Sequence, residues 1–263
     1  MMHASPEATR ALANPRSSPP QPVRPVTKVS VIVPAYNEAD SLEACVRGVL
    51  AQKPAGLPLE VIVVESNSKD DTRRIAKRLA EELPIRLILE DEPRGKGSAV
   101  RKGIAAATGE IIIIQDADLE YEPADYDRLV RPIVAGEALF VLGSRVLGVQ
   151  HWAIRKFEGA PVRELLFNAG GQVVNTFFNL LYGTHLTDQA TMFKVFHVDA
   201  ARGIDWVSDS WDLDVEIIAK LVRGGTLPIE VPVHYQARTG EQGKKMRFRD
   251  VLTVVKAMVR FRV

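Results

Sequence analysis

Residues 111–123 read IIIIQDADLEYEP, four isoleucines set directly against a run of carboxylates. An apolar run this short, bounded by polar residues, reads as a strand buried on both faces, as in a parallel sheet with helices packed over it. The acids begin where that strand ends. Asp116, Asp118 and Glu120 therefore stand at a C-terminal strand edge, where open α/β sheets bind their ligands. Working outward, KVSVIVP (28–34), LEVIVVE (59–65), IRLILE (85–90) and ALFVLG (138–143) are further strands. Between them, ADSLEACVRGVLAQ, DTRRIAKRLAEEL, GSAVRKGIAAATG and PADYDRLVRPIVAG carry apolar residues at helical spacing. Alternation of this kind predicts βαβ units, hence an α/β, Rossmann-like domain with a mostly parallel central sheet flanked by helices.

After Arg145 the rhythm changes. PVRELLFNAGGQVVNTFFNLLYG is a long helix, TMFKVF a strand, SWDLDVEIIAKLVRGG a helix and TLPIEVPVHY a strand. No fixed internal period is present, which excludes solenoids and propellers. Residues 1–27 contain six prolines and few large apolar side chains, so they are expected to be a disordered tail. Residues 28–246 form the main domain in this reading. Residues 247–263, RFRDVLTVVKAMVRFRV, form a basic amphipathic helix suited either to an anionic membrane surface or to packing on the core.

The bulk numbers narrow the function. Lysine plus arginine (34) nearly balances aspartate plus glutamate (33), so no global field draws the chain onto nucleic acid. Cys45 is the single cysteine, which excludes an intramolecular disulfide and a cysteine-rich zinc site. Its helical, apolar setting marks it as a buried thiol rather than a nucleophile. With no membrane-spanning run and no signal-peptide core, the cytoplasm is the simplest expectation, with peripheral contact at the inner membrane face through the last helix.

The phosphate-binding devices separate by elimination. RGKGSAVRKG lacks the earlier glycine and the Ser/Thr of a Walker loop, and the first strand runs into PAYNEADS, with no glycine for a dinucleotide fingerprint. Carboxylates at strand ends that hold a divalent cation against a diphosphate remain. Mg²⁺ and Mn²⁺ prefer oxygen ligands, and Mg²⁺ is often held by one or two protein carboxylates plus substrate phosphates.

Several stretches then carry a resemblance. VSVIVPAYNEADSLEACVRGVL is similar to the opening of inverting family 2 glycosyltransferases of the GT-A fold. VIVVESNSKDDT, RGKGSAVRKGIAAATGEIIIIQDADLEYEPADY and VLGSR resemble their following segments in order. NLLYGTHLTDQATMFKVF, DLDVEIIAKLVRGG and VPVHYQARTGEQGKK are similar to the dolichyl- or polyprenyl-phosphate sugar transferase branch, so the likeness covers residues 28 to about 250.

That resemblance implies an in-line displacement of a nucleoside diphosphate from a GDP- or UDP-linked sugar, with Mg²⁺ or Mn²⁺ and a polyprenyl phosphate acceptor. It makes the second half an acceptor-side elaboration. Pro34, Tyr36, Glu38, Glu65 and Lys96 would bind the donor, Asp116 would face it, and Asp118, with Asp116 and Glu120, would hold the metal. Arg238 and Lys244 would close over the donor phosphates. Arg145, with Ser144 and Arg163, would take the acceptor phosphate. Such an acceptor is already largely dianionic and needs no base. A soluble hydroxyl acceptor, the alternative, would need one, and Asp188 is then the first candidate, with Asp214 and Glu216 behind it. His151, Trp152 and Trp211 would border the acceptor groove. ESNS stands where the family usually has paired aspartates and a glycine, and Thr191-Met192-Phe193 departs from the family's usual Cys-Tyr or Gly-Phe pair.

Overall fold

The computed structural model describes residues 24–147, 161–238 and 248–262. Strands β1 (Val29–Ala35), β2 (Leu59–Glu65), β3 (Ile85–Leu89), β4 (Ile111–Ile114), β5 (Phe140–Ser144), β6 (Lys194–His197) and β7 (Ile229–Pro232) form one sheet. Its order is β3-β2-β1-β4-β6-β5-β7. Helices α1 (Leu42–Leu50), α2 (Thr72–Glu82), α3 (Lys96–Ala106), α4 (Tyr126–Val134), α5 (Pro161–Tyr182), α6 (Asp212–Arg223) and α7 (Phe248–Arg260) accompany it. Each strand and helix expected from the periodicity is present, and the sheet is mixed α/β with mostly parallel pairing.

β1 pairs in parallel with both β2 and β4. The chain leaves β1 toward β2 and β3 on one side and returns to β4 on the other, so the loops after β1 and β4 diverge. That divergence opens a crevice at the C-terminal edge of the sheet. β6 is the exception to parallel pairing, running antiparallel to β4 and β5 between them. Ile111–Ile114 are all buried, which explains the unbroken apolar run. α3 lies close over β1: a Cβ on Gly103 would meet the Ile32 side chain at 2.3 Å.

Two expected boundaries move. Residues 24–27, assigned by composition to the tail, lie against the domain. The Arg24 amide and side chain donate to Asp199 at 3.0 and 2.9 Å, and the Thr27 amide donates to Glu110 at 2.8 Å. Residues 1–23 lie outside the described residues. The terminal helix is part of the same core, because Ala257 and Met258 of α7 are buried, with Phe261 just after it, and α7 packs on α6. Burying Met258 and Phe261 stabilises that packing by roughly 2 kcal/mol each. Lys256, Arg260 and Arg262 stay exposed, as do Leu252 and Val259, so the helix packs on the core with one side and presents basic and apolar residues on the other.

Candidate active site

The acidic turn is built by its neighbours. Gln115, buried after β4, donates to the Asp116 carbonyl at 3.0 Å and accepts from the Tyr126 hydroxyl at 2.7 Å. The strand end is thereby stapled to α4, and the chain turns outward through Leu119, at a left-handed φ of 61°. Cys45 lies beneath, its Sγ donating to the Asp116 carbonyl at 3.6 Å. Burial pushes its thiol pKa up, as expected of a structural cysteine. On the crevice side, Lys96 at the start of α3 pairs with Asp116 at 2.7 Å. Burial alone would lower the Lys96 pKa, but Asp116 and Asp214 more than offset it and the lysine stays charged. Asp118 fares differently: burial, then Asp116 and Glu120, push its pKa up to about 7.

These groups line a cleft of about 570 Å³ together with Pro34, Tyr36, Glu38, Glu120, Arg145, Asp214 and Arg238. These ten residues, all singled out in the sequence, converge from the end of β1, the loops after β1, β4 and β5, the start of α3, α6 and the segment after β7. Trp211, at the N-terminus of α6, also lines it, under the Lys96 ammonium at 5.2 Å from the ring centroid.

Three expected site residues stand behind the walls instead. Glu65 is fully buried, one oxygen accepting from the Ser68 amide at 2.7 Å and the other paired with Arg73, so it braces the loop after β2. Its neighbour Ser66 reaches the cleft in its place, with its hydroxyl donating to Glu90 at 2.6 Å. Ser144 is buried, sharing a 2.7 Å bond with Thr187 and accepting from the Leu147 amide at 3.1 Å. Asp188 is also buried and lies outside the cleft lining. Lys244, His151 and Trp152, and the Arg163 side chain, lie outside the described residues.

The segment after β7 is strapped across the acidic turn. Glu120 accepts from the Tyr235 hydroxyl and the Arg238 amide, each at 2.8 Å, and its carbonyl accepts from the Gln236 amide at 2.9 Å. Glu120, expected as a third metal ligand, thus has a second duty as the latch of this strap. The Arg238 guanidinium donates to Glu38 at 2.9 Å, Ser41 at 3.1 Å and the Asp118 carbonyl at 2.8 Å. It therefore bridges the loops after β1 and β4.

On the other side of the cleft, Arg145 is clamped by Asp188 through two side-chain bonds of 2.7 Å, and its own amide donates to the same carboxylate at 3.0 Å. Burial would raise the Asp188 pKa, but Arg145 holds it below the usual carboxylate range. Asp188 is thus a poor base and a rigid support, and the clamp takes two of the five N–H groups of Arg145. Its loop is held in turn, because the Asp188 amide donates to Glu230 at 3.0 Å. Glu216, the remaining acid weighed as a base, is buried in pairing with Lys220 and the amides of Val207 and Ser208.

Sequence reading missed other residues. Lys194 is fully buried on β6, 3.5 Å from Asp214 and bonded to the Thr191 carbonyl. Tyr121 and Gly95 line the cleft as well, beside Met192 of the Thr191-Met192-Phe193 stretch singled out in the sequence. Gly97 carried the clearest unread signal. A Cβ there would meet the Ser208 carbonyl at 2.5 Å, so glycine alone lets α3 begin against the segment before α6.

The donor set fits a divalent ion only in part on its own. Among the described residues no three His, Cys, Asp or Glu side chains form a ready-made metal cage. Asp116 and Asp118 do form a carboxylate pair whose charge is undercompensated at Asp118. Two carboxylates completed by diphosphate oxygens is the usual way Mg²⁺ is held beside nucleotides.

Comparisons with known proteins agree with this geometry. The chain is 33% identical over 218 residues to the dolichol-phosphate mannosyltransferase of Pyrococcus furiosus, covering 82% of this chain and 59% of that protein. It is 30% identical over 250 residues to the dolichyl-phosphate beta-glucosyltransferase of Dictyostelium discoideum, covering 89% and 73%. The chain spans between 33% and 59% of the length of the first curated relatives it matches. Among solved structures, glucosyl-3-phosphoglycerate synthase from Mycobacterium tuberculosis, in complex with Mn²⁺, UDP and phosphoglyceric acid, superposes with a TM-score of 0.63. At 20% identity over 90% of this chain and 78% of that one, this likeness shows the GT-A-like fold. Residues 30–200 match the model of glycosyl transferase family 2, and the chain belongs to that family.

Proposed function

We propose that this protein transfers a sugar, with inversion, from a GDP- or UDP-linked donor to a polyprenyl phosphate. The observation that carries the acceptor is the Arg145–Asp188 clamp, a fixed guanidinium at the cleft wall whose supporting carboxylate is committed to it. A planar, pre-oriented guanidinium suits a phosphate monoester, and that nucleophile needs positioning rather than deprotonation. The relatives' names, which specify dolichyl phosphates, support the same reading.

In this reading Pro34, Tyr36 and Glu38 seat the nucleoside, and Ser66 takes the place expected of Glu65. Lys96 and Arg238 bring positive charge to the leaving diphosphate, and the strap latched by Glu120 screens the reacting centre from water. Asp118 and Asp116 would hold Mg²⁺ or Mn²⁺, which when bound supplies charge stabilisation to the diphosphate. Arg145 orients the acceptor phosphate for attack on the anomeric carbon from the face opposite the diphosphate. The acceptor oxygen bonds to that carbon as the carbon–diphosphate bond breaks.

A hydroxyl acceptor has one observation in its favour: of the three acids weighed as a base, Asp188, Asp214 and Glu216, Asp214 lines the cleft. The two readings separate in one assay, in which transfer of labelled sugar to polyprenyl phosphate is compared with transfer to hydroxylated acceptors. Arg145→Ala should abolish the first, and Asp214→Asn should leave it within a few-fold. Retained transfer in Arg145→Ala together with loss in Asp214→Asn would sink the phosphate reading.

A further inference from the structure

Helix α5 is a surface helix without surface chemistry. From Leu165 to Tyr182 it contains no Asp, Glu, Lys or Arg. A half-exposed helix of a globular domain ordinarily sets charges toward water. Here Val173, Phe177 and Leu180, at i, i+4 and i+7, share one face and are 69%, 37% and 80% exposed. The helix is nonetheless not apolar enough to cross a bilayer. Contiguous exposed apolar surface of this kind marks an interaction site.

Two further observations say what covers it. Beside the C-terminal end of α5 runs the end of α7. The Tyr182 hydroxyl donates to the Met258 carbonyl, and Arg262 Nε donates to the Leu181 carbonyl, both at 2.7 Å. The solvent face of α7 sets exposed Leu252 and Val259 among Lys256 and Arg260, and residues 252–262 include no carboxylate. An apolar stripe flanked by a helix whose charged residues from position 252 onward are all cationic matches an anionic bilayer surface, in which the acyl boundary takes the apolar side chains and the headgroups take the cations. A second copy fits less well: isologous pairing through α5 would bring the basic α7 helices of both copies together.

The other face of α5 leads to the cleft. Asn175 and Asn179 donate to the Leu186 carbonyl at 2.7 and 2.8 Å, and Asn175 accepts from the Gln189 amide at 3.0 Å. Those bonds hold the loop that carries Asp188, and through it Arg145. We propose that α5, rimmed by the basic face of α7, docks on an anionic lipid surface and sets the Arg145 side of the cleft at the headgroup level. The inference deepens the polyprenyl-phosphate reading, since such an acceptor is presented from a bilayer, but its test uses no acceptor.

The test is co-sedimentation of the full chain with vesicles of phosphatidylcholine alone or mixed with phosphatidylglycerol. Binding is expected to the mixed vesicles and to weaken with salt. Val173→Ser/Phe177→Ser/Leu180→Ser should weaken it by about ten-fold or more, and Lys256→Glu/Arg260→Glu should remove the preference for the anionic lipid. Nucleotide binding, measured on the same variants, should match the parent, and melting temperature should fall only slightly. Because serine at exposed helix positions costs some helix stability, Leu180→Trp provides a milder probe, the fluorescence of the added indole being quenched by brominated phosphatidylcholine. Parent protein left in the supernatant, a triple variant that binds like the parent, or an added indole that the brominated lipid leaves unquenched would each overturn the proposal. So would a dimer in sedimentation equilibrium that the triple variant dissolves, which would assign the face to a second copy.

Discussion

Asp118 and Asp188 are aspartates on opposite sides of one cleft, and their surroundings treat them in opposite ways. Asp118 sits among other acids, with burial, Asp116 and Glu120 raising its pKa to about 7. Asp188 is buried more deeply than Asp118, yet Arg145 keeps it ionised. Asp118 is thus short of positive charge until something supplies it, whereas Asp188 is neutralised within the protein and serves to fix a guanidinium at the cleft wall, which in the proposed function receives an anion. An undercompensated carboxylate pair calls for a mobile cation, and a clamped guanidinium calls for a ligand that is itself anionic.

The comparison breaks most visibly at Asp118. Asp118→Ala should reduce transfer by on the order of 10³-fold, by analogy with the loss of one preorganised transition-state contact. Isothermal titration should show the Mn²⁺-dependent part of nucleotide binding gone. On the acceptor side the larger change is in stability. Asp188→Ala strands the Arg145 guanidinium, 11% exposed, and should lower unfolding free energy by about 3–5 kcal/mol in urea titrations. Replacing the pair together as Arg145→Met/Asp188→Leu should recover much of that loss while leaving transfer abolished.

A smaller effect sharpens the contrast through pH. In the native protein Asp118 keeps its proton up to about pH 7, whereas in the unfolded chain it ionises near about pH 4. Between those values the native state binds more protons, so this group's contribution to stability falls as pH rises. Metal-free melting temperature should decline across that window and the decline should flatten in Asp118→Asn. Stabilisation by Mg²⁺ should correspondingly be greater at about pH 8 than at about pH 6. The smallest effect belongs to Glu122, exposed just before Pro123. Glu122→Gln should change stability by less than about 0.5 kcal/mol and leave transfer unaltered.

The donor side was the more legible half. Its strands are continuous apolar runs, its acids follow directly on the strand that aims them, and partners such as Asp116 and Lys96 lie on adjoining units. The acceptor side depends on pairs distant in sequence, Arg145 with Asp188 and Lys194 with Asp214, and residue type alone does not say that one carboxylate is spent on an arginine while another faces the cleft. The same limit reached the donor side at Glu65: strand alternation gives a face, but the Arg73 that captures its carboxylate comes from the following helix. Glu120 was read for its charge, and its place beneath the Tyr235–Arg238 strap follows only from the fold.

The antiparallel β6 has a consequence for the order of assembly. β2 pairs with its sequence neighbours β1 and β3, whereas β6 joins β4 through His197 and Ile111, and β5 and β7 attach beyond it. Closing so long a loop costs entropy before any contact rewards it, so the acceptor wall is expected to form last. During synthesis the half that carries β1 to β4 can fold while the half that carries β5 to β7 is still emerging. Pulse-labelled hydrogen exchange during refolding checks this order, with amides of β2 and β3 protected before those of β5 and β7.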